Sequence, residues 1–276
     1  MKTRNILVLG GKGKTGRRVA QRLIKLGHNV RIGSRSENPA FDWDNPETWP
    51  GSLAGMDMVY ITFQPDLAVP GALKAIKGFS AEALKAGLKK LVLLSGKGEK
   101  EAELCENVVM NAGTDWTIVR ASWFNQNFSE SFFLDPILAG HVALPMNKAL
   151  VPYVDADDIA DVAVEALLDD KHVGETYELT GPRQLTFEQA SHEISKATAR
   201  DIQFESITMD KYMSMLRAYQ LPDDHLWLIN YLFTEVLTES NSVVSHDVER
   251  VLGRKAKDFK DYAIETAATG VWNPVV

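Results

Sequence analysis

Short apolar segments alternate with amphipathic ones through the first half of the chain, and this alternation predicts the fold. Apolar runs bounded by loops are typical of strands that are buried on both faces of a parallel sheet. Each run is followed by a segment of helical periodicity, as in strand–helix–strand units with right-handed crossovers. The predicted strands are residues 6–9, 29–33, 57–63, 90–95 and 116–119, and the predicted helices are residues 17–26, 68–86 and 99–112.

The alternation loosens from about Phe128, and helical patterns dominate the rest of the chain. One of these helices begins with Thr186-Phe187-Glu188-Gln189, which is a capping-box pattern. We therefore expect a doubly wound, Rossmann-like α/β domain in residues 1–127 that returns near residues 151–180, and a smaller, mostly helical substrate lobe in residues 128–276. The elements predicted in the second half are helices at residues 157–168, 186–197, 208–220, 223–239 and 259–268, and a strand at residues 174–180.

A glycine-rich loop joins the first predicted strand to the first predicted helix. Its pattern is Gly10-x-x-Gly13-x-x-Gly16, in which glycines let the backbone approach a pyrophosphate and the new helix presents its positive end. A nucleoside-triphosphate loop would need a glycine five residues before Gly13, and that position is Val8, inside the strand. The predicted cofactor-binding residues of the loop are Gly10, Gly11, Lys12, Gly13, Lys14, Thr15 and Gly16.

The end of the second predicted strand indicates which dinucleotide binds. A carboxylate about 20 residues after the glycine loop would bind the ribose 2′-hydroxyl of NAD. The chain instead has Ser34-Arg35-Ser36 at this point, and a guanidinium with hydroxyls suits a 2′-phosphate. We therefore predict that the cofactor is NADP(H), with Ser34 and Arg35 among its ligands.

Two further strand ends carry candidate ligands, because ligands of this topology lie over the carboxyl ends of the strands. Gln64 and Pro65 follow the third strand, and Ser95-Gly96-Lys97-Gly98 ends the fourth. We predict that Gln64, Pro65, Ser95 and Lys97 contact the cofactor; simple turns with an exposed lysine are the alternative.

Composition narrows the class of protein. The 276 residues carry a net charge of −7, which argues against nucleic-acid binding because phosphate backbones call for a basic face. The longest apolar stretch, residues 226–237, is interrupted by Asn230 and Glu235 and is too short to span a bilayer. Cys105 is the only cysteine, and the histidines show no metal-ligand spacing. We expect a cytoplasmic protein without a bound metal, acting on a small molecule, with a homodimer as one possible assembly.

Three further motifs give the chain a family resemblance. They are Asp115-Trp116-Thr117-Ile118-Val119-Arg120, then Trp123-Phe124-x-x-Asn127-Phe128, then Pro152-x-Val154-Asp155-x-x-Asp158-Ile159-Ala160. Together with the glycine loop, they resemble the NmrA-like family of atypical short-chain dehydrogenases/reductases. The segments Gly33-Ser34-Arg35-Ser36, Phe41-Asp42-Trp43 and Glu47-Thr48-Trp49-Pro50 are also similar to the festuclavine and agroclavine reductases of ergot alkaloid biosynthesis.

The resemblance implies two alternative functions, because the family mixes NADPH-dependent reductases with proteins that only sense the dinucleotide. It also implies that Trp123, Phe124 and Asn127 line the substrate pocket beside the nicotinamide. Tyr153 is the candidate proton donor, since it precedes Val154-Asp155 in a loop predicted to face the same cleft. No tyrosine has a lysine four residues later, so the Tyr-x-x-x-Lys pair of ordinary short-chain dehydrogenases is missing.

We therefore carry two hypotheses. The first is a reductase that transfers hydride from NADPH to a small unsaturated, carbonyl or imine compound; an imine or iminium acceptor would tolerate the missing pair. The second is a regulatory protein that binds NADP(H) and a protein partner without turnover. Large apolar residues of the second half, such as Trp227, Leu228, Tyr231 and Phe233, are suited to walling a pocket, although packing against the sheet is their commoner fate.

Overall fold

The computed structural model describes residues 2–145 and 148–274 and divides into two compact units. The first unit consists of Met1–Ala121 and Ala156–Glu178, and the second of Ser122–Asp155 and Leu179–Val276. Each unit therefore contains two separate stretches of the chain. The later stretch of the first unit carries a helix and a strand, and it follows the earlier stretch of the second unit in the sequence.

The first unit is built on a six-stranded sheet in the order β2-β1-β3-β4-β5-β7, in which the five strands from β2 to β5 run parallel. This is the Rossmann-like, doubly wound α/β class that the apolar pattern predicts. Elements are numbered in chain order over both units. The strands are β1 (Asn5–Leu9), β2 (Asn29–Gly33), β3 (Met58–Ile61), β4 (Lys90–Gly96), β5 (Asp115–Ala121) and β7 (Glu175–Leu179), and the helices are α1 (Lys14–Lys25), α2 (Trp49–Leu53), α3 (Ala72–Lys85), α4 (Lys100–Met110) and α6 (Ala156–Leu168).

Burial explains why the strands of this sheet could be recognised. Ile6, Leu7, Val8 and Leu9 of β1 are fully buried, as expected where helices cover both faces of a sheet. Val8 lies opposite Ile32 of β2 and Tyr60 of β3, so the register brings the carboxyl ends of the three strands together. The loops that follow these strands therefore share one edge of the sheet.

The second unit has a small sheet and several helices around an aromatic core. Its two strands, β6 (His141–Leu144) and β8 (Gln203–Ser206), pair in parallel, and neither was predicted, because four residues carry little periodicity. Thr186 accepts a hydrogen bond from Gln189 N, and the Gln189 side chain accepts one from Thr186 N, which confirms the capping box. The helices are α5 (Leu134–Ala139), α7 (Phe187–Thr198), α8 (Met209–Ala218), α9 (Asp223–Tyr231), α10 (Asp247–Leu252) and α11 (Phe259–Ala268).

The helix predicted for residues 223–239 is the least accurate of these predictions. The α-helix ends at Tyr231 and a π-helical turn, Leu232–Val236, follows it. This turn buries Phe233 against the rings of Phe187 and Tyr212. Among the helices of the described residues, none combines the length and the apolar character that a bilayer crossing requires.

Candidate functional site

The glycine loop owes its shape to two glycines. Gly10 has φ +60°, a conformation that favours glycine, and a Cβ at this position would overlap the hydroxyl of Thr62. A Cβ on Gly16 would overlap the carbonyl oxygen of Gly10. Gly16 therefore lets α1 pack directly against the end of β1, a contact that a dinucleotide-binding loop needs between its helix and strand.

Gly13 is a glycine for a different reason. Its φ of −81° and ψ of −179° suit any residue, so the backbone does not demand glycine there. A Cβ would lie 3.2 Å from Gly10 O and 3.9 Å from Gln64 Nε2, and would project from the residue that caps the N-terminus of α1. The missing side chain leaves room for a ligand to reach the helix end.

The N-terminus of α1 is suited to an anion. No side chain caps it and its first turn has no acidic residue, so the backbone N–H groups and the positive end of the helix dipole face outward. Lys12, Lys14 and Arg17 add positive charge around this end. Thr15 is buried on the core side of the helix, which leaves its backbone rather than its side chain for ligand binding. The residues present thus fit a pyrophosphate group.

The loop after β2 lies against the glycine loop. Lys12 Nζ donates to Ser36 Oγ at 2.6 Å, and the hydroxyls of Ser36 and Ser34 are 3.1 Å apart. Arg35 is exposed, and no hydrogen bond or ion pair holds its guanidinium among the described residues. Lys12 Nζ also lies 2.8 Å from a carboxylate oxygen of Glu37, a residue that the sequence analysis did not single out because the pairing crosses two loops.

Gln64 and Pro65 also lie beside the glycine loop. Both are exposed at the end of β3, and the amide of Gln64 is near Gly13. Thr62, two residues earlier, donates from its hydroxyl to Leu9 O at 3.1 Å, and its carbonyl accepts from Trp43 Nε1 at 3.1 Å. These two bonds fix the start of the segment. Its position next to the glycine loop is therefore set by β1 and by the side chain of Trp43.

Ser95 and Lys97 have protein partners rather than open surroundings. Ser95 Oγ donates to Glu106 Oε1 at 2.7 Å, and Lys97 Nζ pairs with Glu178 at 3.1 Å. Arg120 Nε donates to both oxygens of the buried Glu106 carboxylate, at 2.8 and 2.9 Å. A cofactor contact from Ser95 or Lys97, as the sequence predicts, would require each side chain to exchange or share these partners.

Two carboxyl groups share a hydrogen bond behind this network. Glu99, which is 6% exposed at the start of α4, bonds to Asp66, which follows the Gln64-Pro65 segment. Burial, reinforced by the charge of Asp66, raises the pKa of Glu99 well above its usual value, and burial also raises the pKa of Asp66. The hydrogen bond between the two carboxyl groups ties the loop after β3 to the start of α4.

The candidate substrate residues belong to the second unit. Trp123 is half-buried and contacts the rings of Phe187 and Phe233 edge-on, with each pair of centroids 5.5 Å apart. Phe124 bridges to Val154, and the backbone carbonyl of Asn127 accepts from Phe133 N at 3.3 Å. Trp123 is thus packed against aromatic rings of the second unit.

Tyr153 lies inside that core. It is 2% exposed, its hydroxyl has no hydrogen-bond partner among the described residues, and the rings of Phe128, Phe187 and Phe259 surround it. Burial raises the pKa of Tyr153 well above its usual value. A proton donor must reach the reacting group, so this position speaks against the role predicted for Tyr153.

Two known proteins are similar to this chain over nearly its whole length. A "prestalk A differentiation protein A" of Dictyostelium discoideum is 30% identical over 95% of this chain and 92% of its own length. The agroclavine dehydrogenase of Claviceps fusiformis is 25% identical over 97% and 98% of the respective chains. No family model matches the chain.

Solved structures show the same fold. NmrA, described as a negative transcriptional regulator in complex with NAD, superposes with a TM-score of 0.69 at 17% identity, covering 98% of each chain. Citrobacter sp. triphenylmethane reductase complexed with NADP(H) superposes with a TM-score of 0.74 at 16% identity, covering 95% of this chain and 99% of that one. The chain belongs to the NmrA-like family of atypical short-chain dehydrogenases/reductases.

The residues that the sequence analysis predicts as ligands of the cofactor or the substrate are divided between the two units. The first unit holds the glycine loop, the loop after β2 and the Gln64-Pro65 segment, and the second holds Trp123, Phe124 and Asn127. Within residues 2–145 and 148–274, no group of three or more histidine, cysteine, aspartate or glutamate side chains is arranged to hold a metal ion.

The Glu99–Asp66 pair predicts how stability depends on pH. The folded-state pKa of Glu99 is higher than its unfolded-state pKa, so its protonation stabilises the fold fully below the unfolded value and is lost as pH rises towards the folded value. Glu99→Gln keeps the hydrogen bond without a titrating proton. We expect the free energy of unfolding, measured by urea titration from pH 5 to 8, to fall less with pH in this variant, by up to about 1.4 kcal/mol per pH unit.

Glu103→Gln is the matched control for this measurement. Glu103 lies on the same helix but is exposed, so its substitution should leave the pH slope of the parent protein unchanged. Equal slopes for Glu99→Gln and the parent would show that folding does not raise the pKa of Glu99.

Proposed function

We propose that the protein binds NADP(H) through its first unit and acts as an NADPH-dependent reductase of a small unsaturated, carbonyl or imine compound. The observation that carries the proposal is the uncapped N-terminus of α1 beside a basic, hydroxyl-rich loop after β2. The two features match the pyrophosphate and the 2′-phosphate of one dinucleotide.

Each part of the cofactor has candidate residues. Gly10, Gly11, Gly13, Lys14, Thr15 and Gly16 would hold the pyrophosphate against α1, chiefly through backbone N–H groups. Ser34, Arg35 and Lys12 would hold the 2′-phosphate, with Arg35 offering a planar fork of donors. Gln64 and Pro65 would lie beside the part of the cofactor between the pyrophosphate and the 2′-phosphate. When bound, NADPH supplies the hydride at C4 of its nicotinamide ring, and the protein supplies orientation and a dry setting.

The names of relatives support the reductase class. A Bacillus subtilis protein called an uncharacterized oxidoreductase, YesF, is 29% identical over 99% of both chains, and the ergot relative is named as a dehydrogenase. The triphenylmethane reductase was crystallised with NADP(H). These names come from proteins of similar length, so the likeness extends to both units.

The choice of acceptor follows from the proton donor that the sequence lacks. No Tyr-x-x-x-Lys pair is present, and the Tyr153 hydroxyl is enclosed by aromatic rings. Ketone reduction needs an acid to protonate the developing alkoxide, whereas an iminium acceptor does not. We therefore rank iminium ions first, together with imines that take up a proton from solution before they bind. Trp123, Phe124 and Asn127 are the residues that we propose to shape the pocket.

A second candidate function is a sensor that binds NADP(H) and a protein partner without turnover. The missing Tyr-x-x-x-Lys pair is the observation that favours it. The first unit would bind the dinucleotide in the same way in both cases, so only a test of turnover separates them.

Cofactor preference depends on Arg35. Its charge-assisted contact to a 2′-phosphate is absent with NADH, so the parent protein should bind NADPH more tightly than NADH in fluorescence titrations. Arg35→Ala should erase most of this preference, weakening NADPH by about 10- to 100-fold and NADH little. Arg31→Ala, which removes an arginine bonded to backbone carbonyls near α2, is the control. Equal affinities of the parent for the two cofactors would contradict the NADP assignment.

Gly13 tests the position of the pyrophosphate. Gly13→Ala should weaken NADPH and NADH alike by about 10-fold, and Gly13→Val should abolish both, because the side chain occupies the approach to α1. The conformation of Gly13 suits any residue, but a Cβ would lie only 3.2 Å from Gly10 O. The melting temperature of each variant is therefore measured beside its affinity, and we expect it to fall by only a small amount. Gly51→Ala, whose methyl group would make only an ordinary contact with Pro39, is the control. Normal NADPH affinity in Gly13→Val would place the nucleotide elsewhere.

Turnover is tested by following NADPH oxidation against a panel of enones, quinones, aldehydes and cyclic imines. We expect a cyclic imine to be reduced, Trp123→Phe to lower kcat/KM by at least about 10-fold at unchanged NADPH affinity, and Tyr153→Phe to cost less than about 2-fold. Trp116→Phe is the control, because Trp116 lies near the amino end of β5. The proposed cofactor site lies at the carboxyl ends of the strands.

The same panel can reject the reductase. If no compound is reduced while NADPH binds tightly, the sensor is favoured. If Tyr153→Phe lowers turnover by about 100-fold, Tyr153 is a general acid after all, and ketones rather than iminium ions become the preferred class.

A further inference from the structure

One ion pair links the two loops that the proposed function assigns to the cofactor. Lys12 Nζ, from the glycine loop, is 2.8 Å from Glu37 Oε1 and 2.6 Å from Ser36 Oγ, both from the loop after β2. Both side chains remain accessible, Lys12 with 58% and Glu37 with 40% of the side chain exposed. The pair therefore lies at the surface, where a ligand can reach either member.

The backbone holds Glu37 at this place. Glu37 N donates to Ser34 O at 3.2 Å, and Phe41 N donates to the same carbonyl at 3.0 Å. The resulting turn carries Ser34, Arg35 and Ser36 ahead of the carboxylate, so cation, hydroxyls and carboxylate share one short loop. Glu37 also follows Gly16 by about 20 residues, the spacing at which a carboxylate accepts the ribose 2′-hydroxyl of NAD.

The two cations differ in their present partners. Lys12 is neutralised by Glu37, whereas Arg35 is exposed and has no bonded partner among the described residues. A 2′-phosphate that recruits Lys12 must compete with the Glu37 carboxylate and would repel it, since a carboxylate only accepts hydrogen bonds. A free 2′-hydroxyl can donate to the same carboxylate without displacing Lys12.

We infer that Glu37 is a specificity-determining residue that narrows the preference for NADPH over NADH, by competing for Lys12 and by accepting from the ribose hydroxyl of NADH. The inference rests on the proposed binding of the dinucleotide at this site. It assigns opposite effects on the two cofactors to one side chain, whereas Arg35 acts on NADPH alone.

Glu37→Gln tests the assignment by equilibrium binding, without turnover. The amide frees Lys12 and removes a charge, so NADPH should bind about 5-fold more tightly. NADH should bind more weakly, because a neutral amide oxygen is a weaker acceptor for the ribose hydroxyl than a carboxylate. The ratio of the two dissociation constants should change by about 10-fold or more. Glu47→Gln, an exposed carboxylate in the turn before α2, should leave both affinities unchanged.

A double-variant cycle separates the two effects of Glu37. In a Lys12→Met background, Glu37→Gln should lose most of its gain for NADPH, since no ammonium remains to be freed, but should still weaken NADH. A full gain for NADPH in that background would show a general charge effect and overturn the role assigned to Lys12.

The outcomes distinguish this inference from the proposed function. If NADPH binds the parent protein and the NADPH-to-NADH ratio is the same in Glu37→Gln, the role of Glu37 is overturned and the dinucleotide site stands. If neither dinucleotide binds the parent protein, the proposed function falls and the inference falls with it.

Discussion

The close approach of Gly16 to the carbonyl of Gly10 is the constraint on which the rest of the site depends. With any larger residue at position 16, α1 could not begin directly beyond the end of β1. Gly10, in the left-handed region, turns the chain there and bonds to Gly33 O at the end of β2. The helix end and the loop after β2 are therefore brought together by backbone contacts, before any ligand is present.

The charges along this edge of the sheet are arranged in two regions. At the end of β4, Lys97 and Arg120 are matched by Glu178 and Glu106, so their charges are largely compensated within the protein. At the ends of β1 and β2, the helix dipole and Arg35 have no such compensation among the described residues. An anionic ligand is thus attracted to the β1–β2 region by a field that the β4 region does not supply.

Burial decides how much of this could be predicted from the sequence. The strands of the first unit are buried on both faces, so Ile6 to Leu9 and their equivalents form apolar runs that mark the sheet. Strands β6 and β8 are too short to show a pattern. The partners of Ser95, Lys97 and Lys12 depend on side chains far apart in sequence, which no local spacing reveals. Tyr153 is a similar case. The sequence analysis predicts that it faces a cleft, but its ring lies among those of Phe128, Phe187 and Phe259, which are distant in sequence.

Charge balance connects the missing Tyr-x-x-x-Lys pair with the aromatic character of the second unit. Reducing a neutral carbonyl creates a negative oxygen next to an oxidised, positive nicotinamide, and an apolar pocket stabilises this separation poorly without an acid. Reducing an iminium ion removes a positive charge from the substrate as one appears on the nicotinamide, so the net charge stays constant. Rings such as that of Trp123 favour a cation over their faces. The iminium acceptor that we propose would therefore need the aromatic rings of such a site but no acid.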